Sequence, residues 1–296
     1  MSERMAQTGN SNRSDQYPKF VLPSGDFVNE PRISIVTAVY NCEATIQSTL
    51  ESVAHQSYSN VEHIVIDGGS SDSTLDVVKA CASADIVVSE PDNGIYDAFN
   101  RGLRQASGDI VLFLNGDDYY ASEDVLLVIA KHYTANPGCI LLGDVVFFSS
   151  EDPLRKVTRF YDSSKFRVDR LSWGWMPAHP GMVVPRGIFE RFGGFDDTYK
   201  IAGDFELSVR LFWHERQPYR HIDKTLVCMQ MGGESTRGLA SNLTILNESL
   251  AACKAYQLKT NRLKLASKFV TKLSQFVKRP QDIASKSASQ WWQSSK

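Results

Sequence analysis

The sequence holds no C-x-x-C pair, no apolar run of about 18 residues and no internal repeat. The first absence excludes ribbon-type zinc sites and dithiol redox chemistry, the second a membrane-spanning helix, the third a solenoid. The opening stretch MSERMAQTGNSNRSDQYPKF is polar and lacks the apolar core of a secretory signal. The five cysteines (Cys42, Cys81, Cys139, Cys228 and Cys253) are odd in number and scattered, which fits a reducing compartment. A cytoplasmic location is therefore expected. No G-x-G-x-x-G follows the first apolar run, so a dinucleotide-binding Rossmann site loses its main support. What is present is an ordinary globular composition, 42% hydrophobic and 22% charged over 296 residues, enough for one large domain or two modest ones.

The net charge of −2 conceals an asymmetry. From Lys254 to Lys296 there are ten basic residues and a single acid, Asp282. Leu258, Leu265, Phe269, Leu273, Phe276 and Val277 recur among these lysines near helical spacing. A basic amphipathic helix of this kind suits an anionic membrane surface; the alternative is a helix packed on the protein's own acidic body. The membrane reading makes the protein peripheral on the inner face of the membrane. Nucleic acid is not an expected partner, because an acidic body repels phosphate.

Residues 1–31 are polar and read as a mobile leader. Then ISIVTAVYN (33–41), VEHIVIDGG (61–69), ADIVVSEPDNG (84–94) and DIVLFLNGDD (109–118) each run from β-branched or apolar residues straight into polar ones. Helical patterns lie between them at 44–55, 73–82 and 96–105, with others at 124–133 and a strand-like run at 139–148. Strands alternating with short helices predict an α/β fold with a mostly parallel sheet flanked by helices. Residues 151–185 are aromatic and irregular.

Ligands bind beyond the carboxyl ends of parallel strands, so the polar ends carry the chemistry. Asn115-Gly116-Asp117-Asp118 puts two carboxylates at the mouth of a buried strand, where Mg²⁺ or Mn²⁺ bridging a diphosphate would suit them; the same residues also make a plain turn. Asp67 can accept hydrogen bonds from a base or ribose, or end a strand in a turn capped by Ser71 or Asp72. Asp92, Asn93, Gly94, Asp97 and Asn100, with Tyr96, could contact ribose or donor sugar, or simply start a helix. Asp204 stands where a helix N-cap is expected, and His179, Trp173 and Trp175 crowd the irregular segment.

Taken together, SIVTAVYN, IVIDGGSSDST, SEPDNGIYDAFNRGLRQASGDIVLFLNGDD and FGGFDDTYKIAGDFELSVR resemble, in order, the family 2 glycosyltransferases, inverting enzymes with the GT-A fold. The resemblance covers roughly residues 32–230. It implies a GT-A domain over 32–235, followed by a helical basic extension over 236–296. It implies that Thr37, Tyr40 and Asp67 line a nucleotide pocket, with Asp67 on the base. It matches Asp117 and Asp118 to the metal-binding acids, Asp118 being the direct ligand. Asn115 stands where the family often has Asp, so the metal is expected to arrive with the donor's diphosphate. Asp204 matches the catalytic base, a role inverting transfer requires. His179 is a candidate for the diphosphate or metal, and Trp173 and Trp175 for stacking on a sugar. The implied partners are a nucleoside-diphosphate sugar and a hydroxyl acceptor, lipid-linked in bacterial surface polysaccharide assembly. The rivals are a sugar-nucleotide pyrophosphorylase, which needs a glycine-rich basic loop that this chain lacks, and a binding module without catalysis.

Overall fold

The computed structural model describes residues 30–149, 157–231 and 239–271. The expected leader, up to residue 29, and the end of the basic extension, 272–296, lie outside the described residues. In chain order the elements are β1 (Ile33–Val39), α1 (Ile46–Ala54), β2 (Val61–Asp67), α2 (Thr74–Cys81), β3 (Ile86–Ser89), α3 (Ile95–Gln105), β4 (Ile110–Asn115), β5 (Tyr119–Tyr120), α4 (Val125–Ala135) and β6 (Ile140–Phe148). They continue with β7 (Val157–Tyr161), β8 (Met182–Pro185), α5 (Arg186–Phe192), α6 (Gly203–Ser208), β9 (Tyr219–Gln230), α7 (Leu239–Ala255) and α8 (Arg262–Thr271).

The strands form one mixed sheet in the order β3-β2-β1-β4-β8-β6-β9-β5, with β7 beside β6. The first four are parallel, as the alternating pattern predicts. β1 is buried along its whole length, because apolar residues cover both of its faces. On one face Val36, Ile64, Val111 and Phe113 meet Phe99 of α3; on the other Ile35, Leu112 and Leu114 meet Leu126 and Ile129 of α4. Gly102 lets α3 lie directly on β1, since a Cβ there would come 2.2 Å from Val36 Cγ1.

The register aligns the carboxyl ends of these strands. Val39 lies opposite Asp67, Asp67 opposite Ser89, and Ala38 opposite Asn115. Four strand ends therefore open on one edge of the sheet. The segment expected to be irregular contains two strands, β7 and β8, linked by short 3₁₀ turns. Both escape a reading by alternation, because they are short and interrupted by Trp, Gly and Pro.

The basic extension begins on the body. Ala252, Cys253, Leu258 and Leu265 are buried in the same core that underlies α3. Thr260 Oγ1 donates to Ser172 O at 2.5 Å and Trp213 Nε1 to Tyr256 O at 3.2 Å. For its first part this is the packed alternative: Leu258 and Leu265 face protein, while Leu243 and Leu263 are exposed among the described residues. Among the described residues no helix is long and apolar enough to cross a membrane.

Leu265→Ala should lower unfolding free energy by about 2–5 kcal/mol, the range for deleting a buried leucine. Chemical denaturation measures it; no loss of stability would mean that α8 does not pack on the body.

Candidate active site

Gly116 gives the β4 turn its shape. A Cβ there would lie 2.8 Å from Cys42 Sγ and 3.0 Å from Val39 Cγ1, so only glycine lets the turn close against β1. Two α1 hydroxyls hold it from below, Thr45 Oγ1 donating to Gly116 O at 2.8 Å and Thr49 Oγ1 to Asp118 O at 2.7 Å. Asn115 Nδ2 donates to Asp118 Oδ2 at 2.9 Å. The remaining oxygens, Asp118 Oδ1 and Asn115 Oδ1, are buried without a partner. Burial, then the neighbouring Asp117 charge, pushes the Asp118 carboxyl well above its usual range, and burial also raises Asp117. Two crowded carboxylates with an unserved oxygen are a donor set that fits a hard divalent cation.

The β2 turn is closed. Asp67 is fully buried and accepts from Gly69 N (3.1 Å), Ser70 N (3.1 Å), Ser70 Oγ (2.5 Å) and Ser89 Oγ (2.7 Å). These bonds shape the loop at the expected base site. Thr37 is likewise interior, its hydroxyl 2.9 Å from His63 Nε2, so it lies beneath the mouth rather than lining it. Tyr40 is 65% exposed at the end of β1 and is available.

At the β3 end, Asp92 Oδ1 accepts from Gly94 N at 2.9 Å. Its other oxygen lies over Gly68, where a Cβ would come within 2.5 Å. The Gly68-Gly69 pair in the sequence marks this close approach. Asn93 is exposed, and Gly94, with φ +118°, precedes α3. Asp97 and Asn100 have protein partners. Arg101 binds Asp97 (Nη2 2.9 Å, Nε 3.3 Å) and holds its carboxyl below the usual range, while Asn93 N also donates to it. Asn100 exchanges two bonds with Phe195, donating to its O at 2.9 Å and accepting from its N at 2.8 Å. Both have structural roles in these contacts.

The His179 ring lies 5.3–5.5 Å from those of Phe99, Phe113 and Phe195, and burial lowers its pKa to about 4. Its imidazole is neutral and half-buried among these rings. Trp173 is 46% exposed with Lys264 Nζ 5.1 Å from its ring centre; Trp175 tilts against Tyr161 at 6.1 Å. The two flank Gly174 (φ +75°), where a Cβ would lie 3.0 Å from Lys268 Cδ.

Asp204 lies in the first turn of α6, but Ala202, not Asp204, is the N-cap. The Asp204 carboxylate nevertheless serves one amide of that turn. Phe205 N donates to its Oδ1 at 2.8 Å, and Tyr96 OH stands at 3.5 Å. Burial raises its pKa to about 6; the bond from Phe205, the Lys268 charge and Tyr96 oppose the rise. A carboxylate with this pKa is mostly ionised at neutral pH and basic enough to accept a hydroxyl proton.

A third group, Asp144, Asp162 and His221, has ligand-type atoms within 4.8 Å of one another. Several of its ligand atoms already have protein partners. Asp144 Oδ1 meets His221 Nε2 at 2.9 Å and accepts Ser163 N at 2.7 Å, and Lys165 pairs with Asp162 at 2.6 Å. A network of this kind explains the cluster without an ion.

The fold is that of GT-A-type enzymes. S. aureus TarS 1–349 in complex with UDP-GlcNAc superimposes with a TM-score of 0.59 at 19% identity, covering 81% of this chain and 72% of that one. Against the longer TarS chain the coverage is 44% of its length. The mannosyltransferase PcManGT from Pyrobaculum calidifontis, in complex with GDP-Man and Mn²⁺, gives 0.53 at 19% identity over 96% and 90% of the two chains. Residues 34–193 match the sequence profile of glycosyl transferase family 2. A PGL/p-HBAD biosynthesis glycosyltransferase of Mycobacterium bovis is 31% identical over 187 residues, 62% of this chain and 70% of that protein. The chain belongs to glycosyl transferase family 2.

A carboxyl-selective NMR titration should place Asp204 near pH 6. Lys268→Met should move the midpoint upward, because a removed positive charge no longer favours the ionised form. An unchanged midpoint would mean that α8 exerts no field on Asp204.

Proposed function

We propose that this protein is an inverting glycosyltransferase that moves one sugar from a nucleoside-diphosphate donor to a hydroxyl acceptor. The observation that carries the reading is Asp204: a carboxylate with its pKa raised to about 6, on a different element from the β4 acids and not itself the N-cap residue. Two sets of carboxylates in different electrostatic settings suit two different jobs.

The acceptor oxygen bonds to the anomeric carbon as its proton passes to Asp204. The bond from that carbon to the diphosphate oxygen breaks on the opposite side, and its electron pair leaves with the diphosphate. Asp118 and Asp117, with Asn115 beside them, would hold Mn²⁺ or Mg²⁺, which when bound supplies Lewis-acid neutralisation of the leaving group. Asp92 over Gly68, Asn93, Gly94 and Tyr40 border the donor's nucleoside. The GDP-Man and UDP-GlcNAc complexes of the structural neighbours support a nucleotide sugar as donor. Exposed Trp173 suits stacking on a sugar of the acceptor. By the family resemblance the acceptor is lipid-linked and the process is bacterial surface polysaccharide assembly, carried out by residues 32–235 with the C-terminal extension beside them. A binding module without catalysis leaves the raised pKa of Asp204 without a use.

Donor class and metal need are read together from a binding panel of UDP, GDP and dTDP sugars with and without Mn²⁺. One class should bind, more tightly with the ion, and Asp118→Ala should abolish that enhancement; full Mn²⁺ dependence in the variant would remove the metal assignment. Asp204→Asn should keep donor binding and lose about a hundredfold or more in transfer, the scale of general base catalysis. Wild-type transfer by that variant would remove Asp204 as the base.

A further inference from the structure

The turn that precedes Asp204 is held by a second carboxylate. Glu248, on α7, accepts three successive backbone N–H groups just ahead of α6: Lys200 and Ala202 at 2.8 Å each and Ile201 at 3.0 Å. Ile201 O in turn accepts Tyr96 OH at 2.7 Å, and Tyr96 packs on Gly203, where a Cβ would come 2.7 Å from the ring. The turn that delivers Asp204 is thus clamped between α7 and α3. Neighbouring Glu206 anchors the same helix, receiving Arg210 Nε at 2.8 Å and Tyr256 OH at 2.7 Å.

We propose that Glu248 is a positioning residue for sugar transfer, its carboxylate fixing the 200–202 turn so that Asp204 is held towards the acceptor hydroxyl. Glu248 and Asp204 both lie beyond the family-matched residues 34–193, so α7 is a working part of the site rather than an appendage. Three charge-assisted bonds to one carboxylate make a clamp that neither glutamine nor alanine reproduces. The proposal rests on Asp204 being the base, and the test separates the two.

Full-length Glu248→Gln and Glu248→Ala are compared with wild type and Asp204→Asn, thermal unfolding confirming that each is folded. The readouts are the NMR titration midpoint of Asp204 and steady-state release of UDP, GDP or dTDP from the sugar nucleotide selected by the panel. Loosening the turn admits water to Asp204 and removes a nearby negative charge, so its midpoint should fall towards the ordinary carboxylate range in both variants. kcat should fall by about tenfold to a hundredfold, as for a displaced catalytic group, with donor KM nearly unchanged. An Asp204 midpoint equal to wild type in either folded variant overturns the proposal, whatever the rate. Undiminished turnover in Asp204→Asn would instead defeat the base assignment, and the midpoint would still decide the role of Glu248.

Discussion

A buried carboxylate must be served by donors or by a cation, and this requirement organises the site. Three acids in the sheet layer show the alternatives. Glu62, sunk at the amino ends of the strands, accepts from Ser34 Oγ, Ser107 N and Oγ and Gly108 N, and pairs with Arg32 at 3.1 Å. Burial alone would raise its pKa, yet these partners hold it below the usual range. Asp67, at the opposite ends of the strands, is also saturated by its own loop. Asp118 is as deeply buried as either, and one of its oxygens meets nothing. The same chain that satisfies two carboxylates leaves the third open, beside Asp117, where the strand ends converge.

Much of this was legible in the sequence. The four apolar runs ending in polar residues gave the parallel strands and their common edge, since a doubly covered strand must be apolar throughout and can change character only at its end. The order of the polar blocks brought Asp117, Asp118 and Asp204 into one argument. Less legible was which polar residues face a ligand and which are consumed locally. Asp67, Asp97 and Asn100 look like ligand contacts by type, but serine hydroxyls, Arg101 and the Phe195 backbone take them up. No periodicity reveals such partners, which lie from 3 to 95 residues away. β9 was hidden for a related reason, its YRHID start being polar where the strand is only half covered.

The C-terminal helices change most between sequence and structure. Composition alone made the basic segment a candidate for lipid, yet its first part is part of the core, and it contributes Lys268 near Asp204. Glu248 adds the clamp ahead of α6. The proposed leaving-group site is built from strand ends within the family-matched residues, whereas the setting of the proposed base combines Tyr96 of that region with Glu248 and Lys268 after it.

The central claim is that Asp204 and the metal-binding acids act on opposite sides of the anomeric carbon. The stereochemistry of the product tests it most directly. Anomeric coupling constants from proton NMR of the newly formed linkage should show a configuration opposite to that of the donor sugar. Retention of the donor's configuration would contradict the account, because a single displacement with one base on the acceptor side cannot produce it.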